Sequence, residues 1–160
     1  MTIQVGDTLP SINLMTMTGE GPKPISLSDI SAGKKIVLFA VPGAFTPTCS
    51  LQHLPGFIEK NLEFRNKGVD VVACVSMNDP FVMKAWGEDR KVGEDILMLS
   101  DGNGEFTSAI GLEMDGSGFG LGTRSQRYAM VIDDGVVSAL NIETGPGLDV
   151  SSAETILEQL

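Results

Sequence analysis

The sequence predicts an α/β fold in which a central mixed β-sheet is flanked by α-helices. Three features lead to this prediction. In the first two thirds of the chain, short apolar runs alternate with segments of helical pattern, which is typical of parallel strands joined by right-handed crossovers. Residues 127–132 and 136–142 then form strand-like runs around an Asp-Gly turn, which predicts an antiparallel hairpin. A last helical segment closes the chain.

Three apolar runs are predicted to form the parallel part of the sheet. Residues 35–41 read as a buried strand that Pro42-Gly43 ends, residues 69–76 as a valine-rich strand, and residues 96–99 as a third. The helices between and after them are predicted over residues 51–67, from Asn78-Asp79-Pro80 onward, and over residues 105–110.

Two of the helices carry signals at particular residues. Pro55-Gly56 should bend or interrupt the first turns of helix 51–67. Ser151 and Glu154 have the spacing of a capping box and predict the start of the last helix. The apolar positions expected to face the core are Leu54, Phe57, Ile58, Leu62 and Phe64 in the first of these helices, and Ile156, Leu157 and Leu160 in the last.

Composition limits the classes of function. A chain of 160 residues can form a substantial core, and we expect a single domain over residues 1–160. The formal net charge of −10 opposes binding to nucleic acid and to anionic membrane surfaces. No apolar run approaches the roughly 18 residues of a membrane span. The N-terminus lacks the pattern of a signal peptide, so we expect a cytoplasmic protein.

The content of cysteine and histidine limits the chemistry further. Two cysteines and one histidine are too few for a zinc site with four Cys and His ligands, or for a disulfide framework. We therefore expect neither a metal nor a cofactor. In a reducing compartment, a thiol is more often catalytic than structural.

Cys49 lies where a thiol is expected to be reactive. It follows the Pro42-Gly43 break and falls in the first turn of a predicted helix, with Thr46 or Thr48 as N-cap and Pro47 in the first turn. Unpaired backbone N–H groups and the helix dipole favour an ionised sulfur at such a position. Inert packing is the alternative, because free cysteine is among the most buried residue types. The position favours a nucleophile.

The order of elements is that of a thioredoxin-like fold, and one motif within it points to a family. Pro42, Thr46 and Cys49 match the Pro-x-x-x-Thr-x-x-Cys signature, so the chain resembles the peroxiredoxins. Residues 42–50 together with residues 53–56 are similar to the type II, or peroxiredoxin-5-like, subgroup. The resemblance covers nearly the whole chain, through Val5-Gly6-Asp7, residues 75–81 with Trp86, and residues 124–128. It implies a thiol-specific peroxidase that acts on hydrogen peroxide and alkyl hydroperoxides.

Reduction of a peroxide by a thiol requires groups that hold both oxygens. The Cys49 thiolate would attack one oxygen while the other leaves with developing negative charge. The Thr46 hydroxyl can accept a hydrogen bond from the peroxide and donate one to the thiolate. The backbone N–H groups of Thr48 and Cys49 can donate to the oxygens.

The resemblance implies further site residues. Arg127 would stabilise the thiolate and the leaving oxygen with fixed donors and a permanent charge, and Arg124 is the alternative candidate for this role. Pro42 would pack over the sulfur and limit access of water. His53 lies four residues after Cys49, so a helical turn would bring it near the sulfur. We expect His53 to support the site and not to act as the base.

Recycling depends on the second cysteine. After attack, Cys49 is a sulfenic acid that must return to the thiol. Cys74 lies inside a predicted strand, where it is either a small buried hydrophobe or a resolving thiol; a disulfide would require its Cα to lie within roughly 7 Å of that of Cys49. Family members with an internal disulfide usually use a cysteine late in the chain, and none follows Cys74. The resemblance therefore implies recycling by an external thiol, glutathione with glutaredoxin or else thioredoxin.

Two other functions are alternatives to a peroxidase on this fold. A disulfide oxidoreductase on the same fold would need Cys-x-x-Cys, and Thr46 stands in place of the first cysteine. A redox sensor or chaperone would tolerate losses from the Pro-Thr-Cys-Arg set, and none is lost.

The glycine-rich stretch 116–122 presents Phe119 and Leu121 as a contact surface or as a mobile loop. The resemblance implies a homodimer through the edge that carries the site.

Overall fold

The computed structural model describes residues 1–160 and contains nine β-strands. They are β1 Asn13–Thr18, β2 Gly21–Ser26, β3 Lys35–Ala40, β4 Val71–Ser76, β5 Leu97–Ser100, β6 Glu113–Asp115, β7 Thr123–Ser125, β8 Tyr128–Asp133 and β9 Val136–Ile142. Seven of them form one sheet in the order β2-β1-β5-β4-β3-β8-β9, and β6 and β7 form a separate ribbon.

Six α-helices accompany the strands. They are α1 Leu27–Ile30, α2 Leu54–Glu59, α3 Asn61–Asn66, α4 Pro80–Asp89, α5 Glu105–Ile110 and α6 Ala153–Glu158. A π-helical turn, Cys49–His53, precedes α2, and a short 3-10 turn covers Ser117–Phe119. None of the helices has both the length and the apolar character that crossing a bilayer requires.

The mixed sheet predicted from the sequence is confirmed. Strands β3, β4 and β5 pair in parallel, whereas β8 pairs antiparallel with β3 and with β9. The predicted hairpin turns at Asp134 and Gly135, which both have positive φ, as a two-residue turn of the hairpin type requires. The carboxyl ends of β3 and β4 meet at one edge of the sheet, and the start of β8 lies beside them, because Ala40 pairs with Tyr128.

Both faces of the central strands are buried. Alternate residues of β3 point to opposite sides: Val37 and Phe39 pack with Cys49 on one face, and Ile36 and Leu38 pack on the other. A strand that is covered on both faces explains the continuous apolar run that predicted β3.

The region predicted as one helix over residues 51–67 is divided. The π-helical turn opens it, with the Leu54 N–H donating to the Cys49 carbonyl, and the chain breaks again at Lys60. Pro55 lies in the first turn of α2, where the absence of an N–H costs little. The break rotates α3 relative to α2, so the placement of Leu62 on the inner face is wrong: its side chain is 71% exposed, whereas Phe64 is fully buried.

Three further features differ from or add to the prediction. The capping box at Ser151 and Glu154 is wrong, because Ser152 is the N-cap of α6 and its hydroxyl accepts from the Thr155 N–H. The β1–β2 hairpin and the β6–β7 ribbon were not predicted. Pro22 and Pro24 obscure the sequence pattern of β2, because proline is rare in strands. The strand forms nevertheless, because β2 is the outermost strand of the sheet, where proline is tolerated.

Candidate active site

Cys49 lies at the end of the loop that leaves β3. The helix begins by backbone bonding alone: the Ser50 N–H donates to the Thr46 carbonyl. The prediction of a threonine side-chain cap is wrong, because the Thr46 hydroxyl donates to the Gly43 carbonyl at 2.6 Å and Thr48 makes no side-chain cap. The N–H groups of Thr48 and Cys49 donate to no backbone carbonyl, so both are free for another acceptor.

Arg127 reaches the sulfur of Cys49. Its Nη2 lies 3.1 Å from the Cys49 Sγ and donates to it. Arg127 precedes the first residue of β8, which pairs with the last residue of β3, so the sheet itself brings the arginine to this edge. The arginine is 7% exposed and Cys49 is 0% exposed, so the contact is shielded from water and its attraction is little screened.

His53 joins the other arm of the guanidinium. Arg127 Nη1 donates to His53 Nδ1 at 3.0 Å, so the ring proton sits on Nε2 and is donated to the Ser151 carbonyl at 2.9 Å. Burial of the ring, with the nearby charge of Arg127, lowers the pKa of His53 from 6.5 to about 3. A neutral histidine can accept from Arg127, and it cannot serve as a proton donor to substrate at neutral pH.

Arg124 lies at the same edge but is directed elsewhere. Its Nη1 donates to the Pro42 carbonyl at 3.2 Å and its Nε donates to the Leu121 carbonyl at 3.0 Å. It therefore ties the loop that contains Pro42 to the glycine-rich stretch 116–122. A Cβ on Gly43 would lie 3.0 Å from Thr46 Cγ2 and 3.3 Å from Arg124 Nη1, so a larger residue would crowd both side chains and they would have to shift.

The loop between Pro42 and Cys49 holds an unusual backbone. Phe45 has a φ of 65°, a conformation that a bulky residue rarely adopts, and its ring is half exposed. Across the loop, the Ala44 N–H donates to Asn78 Oδ1, which also accepts from the Ser76 hydroxyl. Asn78 thus ties the loop to the end of β4 and explains how the strained turn is maintained.

Cys74 lies one strand away from the site. It is in β4, opposite Phe39 of β3, and it is buried on the same face of the sheet as Cys49. Burial, with a smaller contribution from Cys49, raises the pKa of the Cys74 thiol well above its usual value. Both cysteines are free thiols. A thiol held neutral is a weak nucleophile.

Several contacts at the site involve residues that sequence reasoning did not assign to it. Trp86 Nε1 donates to the Ser50 hydroxyl at 2.9 Å, so the single tryptophan adjoins the residue after Cys49. Ser151, which was assigned to a cap, instead accepts from His53. The only sequence signal for Asn78 and Trp86 was their place within the family resemblance. No group of three His, Cys, Asp or Glu side chains is arranged to hold a metal ion.

Comparison with known proteins identifies the family. The Redoxin family model matches residues 4–157. The chain is 52% identical to chloroplastic Peroxiredoxin-2E of Arabidopsis thaliana, covering 99% of this chain and 70% of that protein. It is 47% identical to Arabidopsis thaliana Peroxiredoxin-2B, covering 99% of this chain and 98% of that protein. The chain belongs to the peroxiredoxin family.

A solved structure supports the same assignment. Reduced Prx3 from Vibrio vulnificus, determined in complex with hydrogen peroxide, is 56% identical to this peroxiredoxin and matches it with a TM-score of 0.95 over 99% of each chain. The relatives named peroxiredoxin-2 place the chain in the type II group. The predicted family, thioredoxin-like fold and thiol peroxidase activity are therefore confirmed.

Proposed function

We propose that this peroxiredoxin reduces hydrogen peroxide and alkyl hydroperoxides at Cys49. The observation that carries the proposal is the contact between Arg127 Nη2 and the Cys49 sulfur, at a helix start with two free N–H groups. Such donors stabilise the thiolate before the reaction and the departing oxygen during it. The Vibrio vulnificus relative binds hydrogen peroxide, which supports that substrate.

The reaction we propose balances as a two-electron displacement. The Cys49 thiolate attacks one oxygen of the hydroperoxide and forms an S–O bond, and the O–O bond breaks. The attacked oxygen keeps its own hydrogen, and the departing oxygen takes a proton from solvent water and leaves as water or an alcohol. The sulfur is then a sulfenic acid, so the thiol has been oxidised and the peroxide reduced.

The neighbouring residues have separate parts in this step. The Thr46 proton is bonded to Gly43, so the hydroxyl has lone pairs left to accept from the peroxide O–H. This differs from the predicted donation of the Thr46 hydroxyl to the thiolate. The Thr48 and Cys49 N–H groups and Arg127 donate to the oxygens, and the half-buried Pro42 limits water. His53 and Arg124 support the site through Arg127 and Pro42.

Recycling would use an external thiol. Cys74 is fixed in a strand and kept neutral, so an internal disulfide would require β4 or the Cys49 turn to unfold. Cys49 is 0% exposed, so a reductant as large as glutathione requires its turn to unwind, whereas a small peroxide requires less movement. We propose glutathione with glutaredoxin as the reductant and thioredoxin as the second choice.

We further propose a homodimer and a cytoplasmic location. Three phenyl rings are exposed, Phe45 in the loop after β3, Phe81 in the first turn of α4 and Phe119 in the 3-10 turn, and a second copy could cover them. Two relatives are named as chloroplastic, so members of this family also occur in an organelle. Cell fractionation and sedimentation at several concentrations test these two proposals.

The function is tested by peroxide consumption with each reductant couple. Wild type, Cys49→Ser and Cys74→Ser are compared with glutathione plus glutaredoxin, and with thioredoxin plus its reductase. We expect Cys49→Ser to abolish turnover and Cys74→Ser to retain it, and the active couple identifies the reductant. Loss of turnover in Cys74→Ser would contradict recycling by an external thiol, and a wild type inactive with both couples would contradict the peroxidase proposal.

A further inference from the structure

Glu143 follows the last strand of the sheet and binds the loop that leads to α6. Its Oε2 accepts three hydrogen bonds: from the Ser151 hydroxyl at 2.6 Å, and from the backbone N–H groups of Asp149 and Ser151 at 2.8 Å each. Partial burial opposes ionisation, but these hydrogen bonds outweigh it and lower the pKa of Glu143 below its usual value. The carboxylate is therefore charged at neutral pH.

The loop has few other attachments. Residues 144–148 make no hydrogen bond between backbone groups, and they include Gly145, Pro146 and Gly147. Besides the carboxylate, the Asn141 amide binds the Val150 carbonyl and the Thr155 hydroxyl binds the Asp149 carbonyl. The position of Ser151 thus depends on Glu143, which holds it through both its N–H and its hydroxyl.

Ser151 in turn determines which tautomer His53 adopts. The Ser151 carbonyl accepts the Nε2 proton, and this leaves Nδ1 as the acceptor for Arg127 Nη1. With one guanidinium arm on His53, the other arm reaches the Cys49 sulfur. Glu143 also donates its backbone N–H to the Arg127 carbonyl at 3.0 Å, so the chain of contacts returns to the residue that it orients.

We propose that Glu143 is a positioning residue for the peroxidatic thiolate. It acts through Ser151 and His53 to aim the Arg127 guanidinium at Cys49. A tautomer fixed by a hydrogen bond and a guanidinium held on two sides leave little freedom for the donor at the sulfur. The inference rests on the proposed roles of Cys49 and Arg127, and it assigns a function to a carboxylate that does not touch either side chain.

The test removes the charge of Glu143 with little change of shape. Glu143→Gln is compared with wild type and with Glu158→Gln, a control that removes the same charge from an exposed position in α6, where the side chain makes no hydrogen bond. The first measurement is the ultraviolet absorbance of the thiolate against pH, which requires no peroxide. The second is the rate constant for hydrogen peroxide with the reduced protein, followed by Trp86 fluorescence.

We expect the midpoint of thiolate formation to move to higher pH in Glu143→Gln, and the rate constant to fall by roughly tenfold, because a donor displaced even slightly from the reacting atom loses much of its effect. Glu158→Gln should match wild type in both measurements. Retention of the wild-type thiolate midpoint and rate in Glu143→Gln would overturn the proposal.

Repeating the test in a His53→Leu variant separates an effect of Glu143 on the orientation of Arg127 from an effect on the stability of the loop. His53→Leu removes the link between Ser151 and Arg127, so Glu143→Gln should have no further effect on the thiolate midpoint or on the rate in that background. An equal additional loss there would show that Glu143 does not act through His53 and would overturn the inference. If Glu143→Gln fails to fold, Ser151→Ala, which removes one of the three bonds to the carboxylate, replaces it in both backgrounds.

The two proposals fail differently. A wild type that does not consume peroxide contradicts the peroxidase function, while the thiolate titration still tests the role of Glu143. A wild type that reacts with peroxide, alongside a Glu143→Gln variant identical to it, contradicts the positioning role alone.

Discussion

Arg127 Nη2 lies 3.1 Å from the Cys49 sulfur although 78 residues separate the two in the chain. The contact exists because β3 and β8 pair antiparallel, with Ala40 opposite Tyr128. Cys49 follows the end of β3 by nine residues, and Arg127 immediately precedes β8. The sheet therefore aligns the helix start and the guanidinium at one edge, and the burial of both groups strengthens their electrostatic interaction.

Replacement of Arg127 should remove most of the peroxidase activity. In Arg127→Leu the sulfur and the departing oxygen lose charged donors, and we expect the rate constant with hydrogen peroxide to fall by about 100- to 1,000-fold. Arg127→Lys should recover part of this loss, because one ammonium cannot reproduce both the bond to His53 and the bond to Cys49. Stopped-flow measurement on the reduced protein gives both rate constants.

Arg124 is the matched control for this experiment. Its guanidinium binds the Pro42 and Leu121 carbonyls, not the sulfur, so Arg124→Leu should slow the reaction by less than about tenfold. A loss equal to that of Arg127→Leu would mean that Arg124 supplies the charge to the reacting atoms, and would contradict the assignment of the two arginines.

The hydroxyl of Thr46, but not that of Thr48, should matter for reaction. Thr46→Val keeps the shape and removes the oxygen that is left to accept from the peroxide, and we expect about 100-fold slower oxidation. Thr46→Ser should stay close to wild type. Thr48→Val retains the backbone N–H and should change the rate by less than roughly threefold. If the two valine variants lose equal activity, the threonine hydroxyls act only in local folding.

His53 should make stability depend on acidity. Between pH 6.5 and about 3 the unfolded chain binds a proton at His53 that the folded protein does not, because burial and Arg127 keep the folded ring neutral. The free energy of unfolding therefore decreases as the pH is lowered through this range, by about 1.4 kcal/mol per pH unit from this group. Above pH 6.5 both states hold a neutral ring and the effect disappears.

Comparison with His53→Gln isolates this contribution. The variant has no titrating ring, whereas Glu143 and the other carboxylates are common to both proteins. Denaturant unfolding from pH 7 to pH 4 should show a steeper loss for wild type. Parallel stability curves for the two proteins would show that His53 is not buried in its neutral form.

Truncation of Phe64 and of Leu62, which the sequence assigned to the same inner face, should have different effects on the free energy of unfolding. Phe64→Ala should lower the free energy of unfolding by about 3–5 kcal/mol, because the ring is fully buried and stacks on Phe57. Leu62→Ala should change it by less than about 0.5 kcal/mol, since its side chain lies mostly in solvent. Equal losses, measured by denaturant unfolding, would contradict the break at Lys60.

The sequence by itself determined the elements whose signals are local and the residue for which we propose the role of nucleophile. The apolar run of β3, the Asp-Gly turn of the last hairpin and the start of α4 at Pro80 follow from burial on both faces, from positive φ and from the fixed φ of proline. Cys49 and Thr46 lie within one short motif, so they could be selected without a structure.

Only the tertiary structure decided which distant groups meet at that residue. The family resemblance favoured Arg127 over Arg124, but no local signal explains why Arg127 reaches the sulfur, which depends on the register of β8 against β3. The tautomer of His53 depends on the Ser151 carbonyl, which is 98 residues away, and its neutral state depends on burial and on the charge of Arg127. The surroundings of a buried group are formed by elements far apart in the chain. Orientation, tautomer and protonation at the site therefore follow from packing and could not follow from residue pattern.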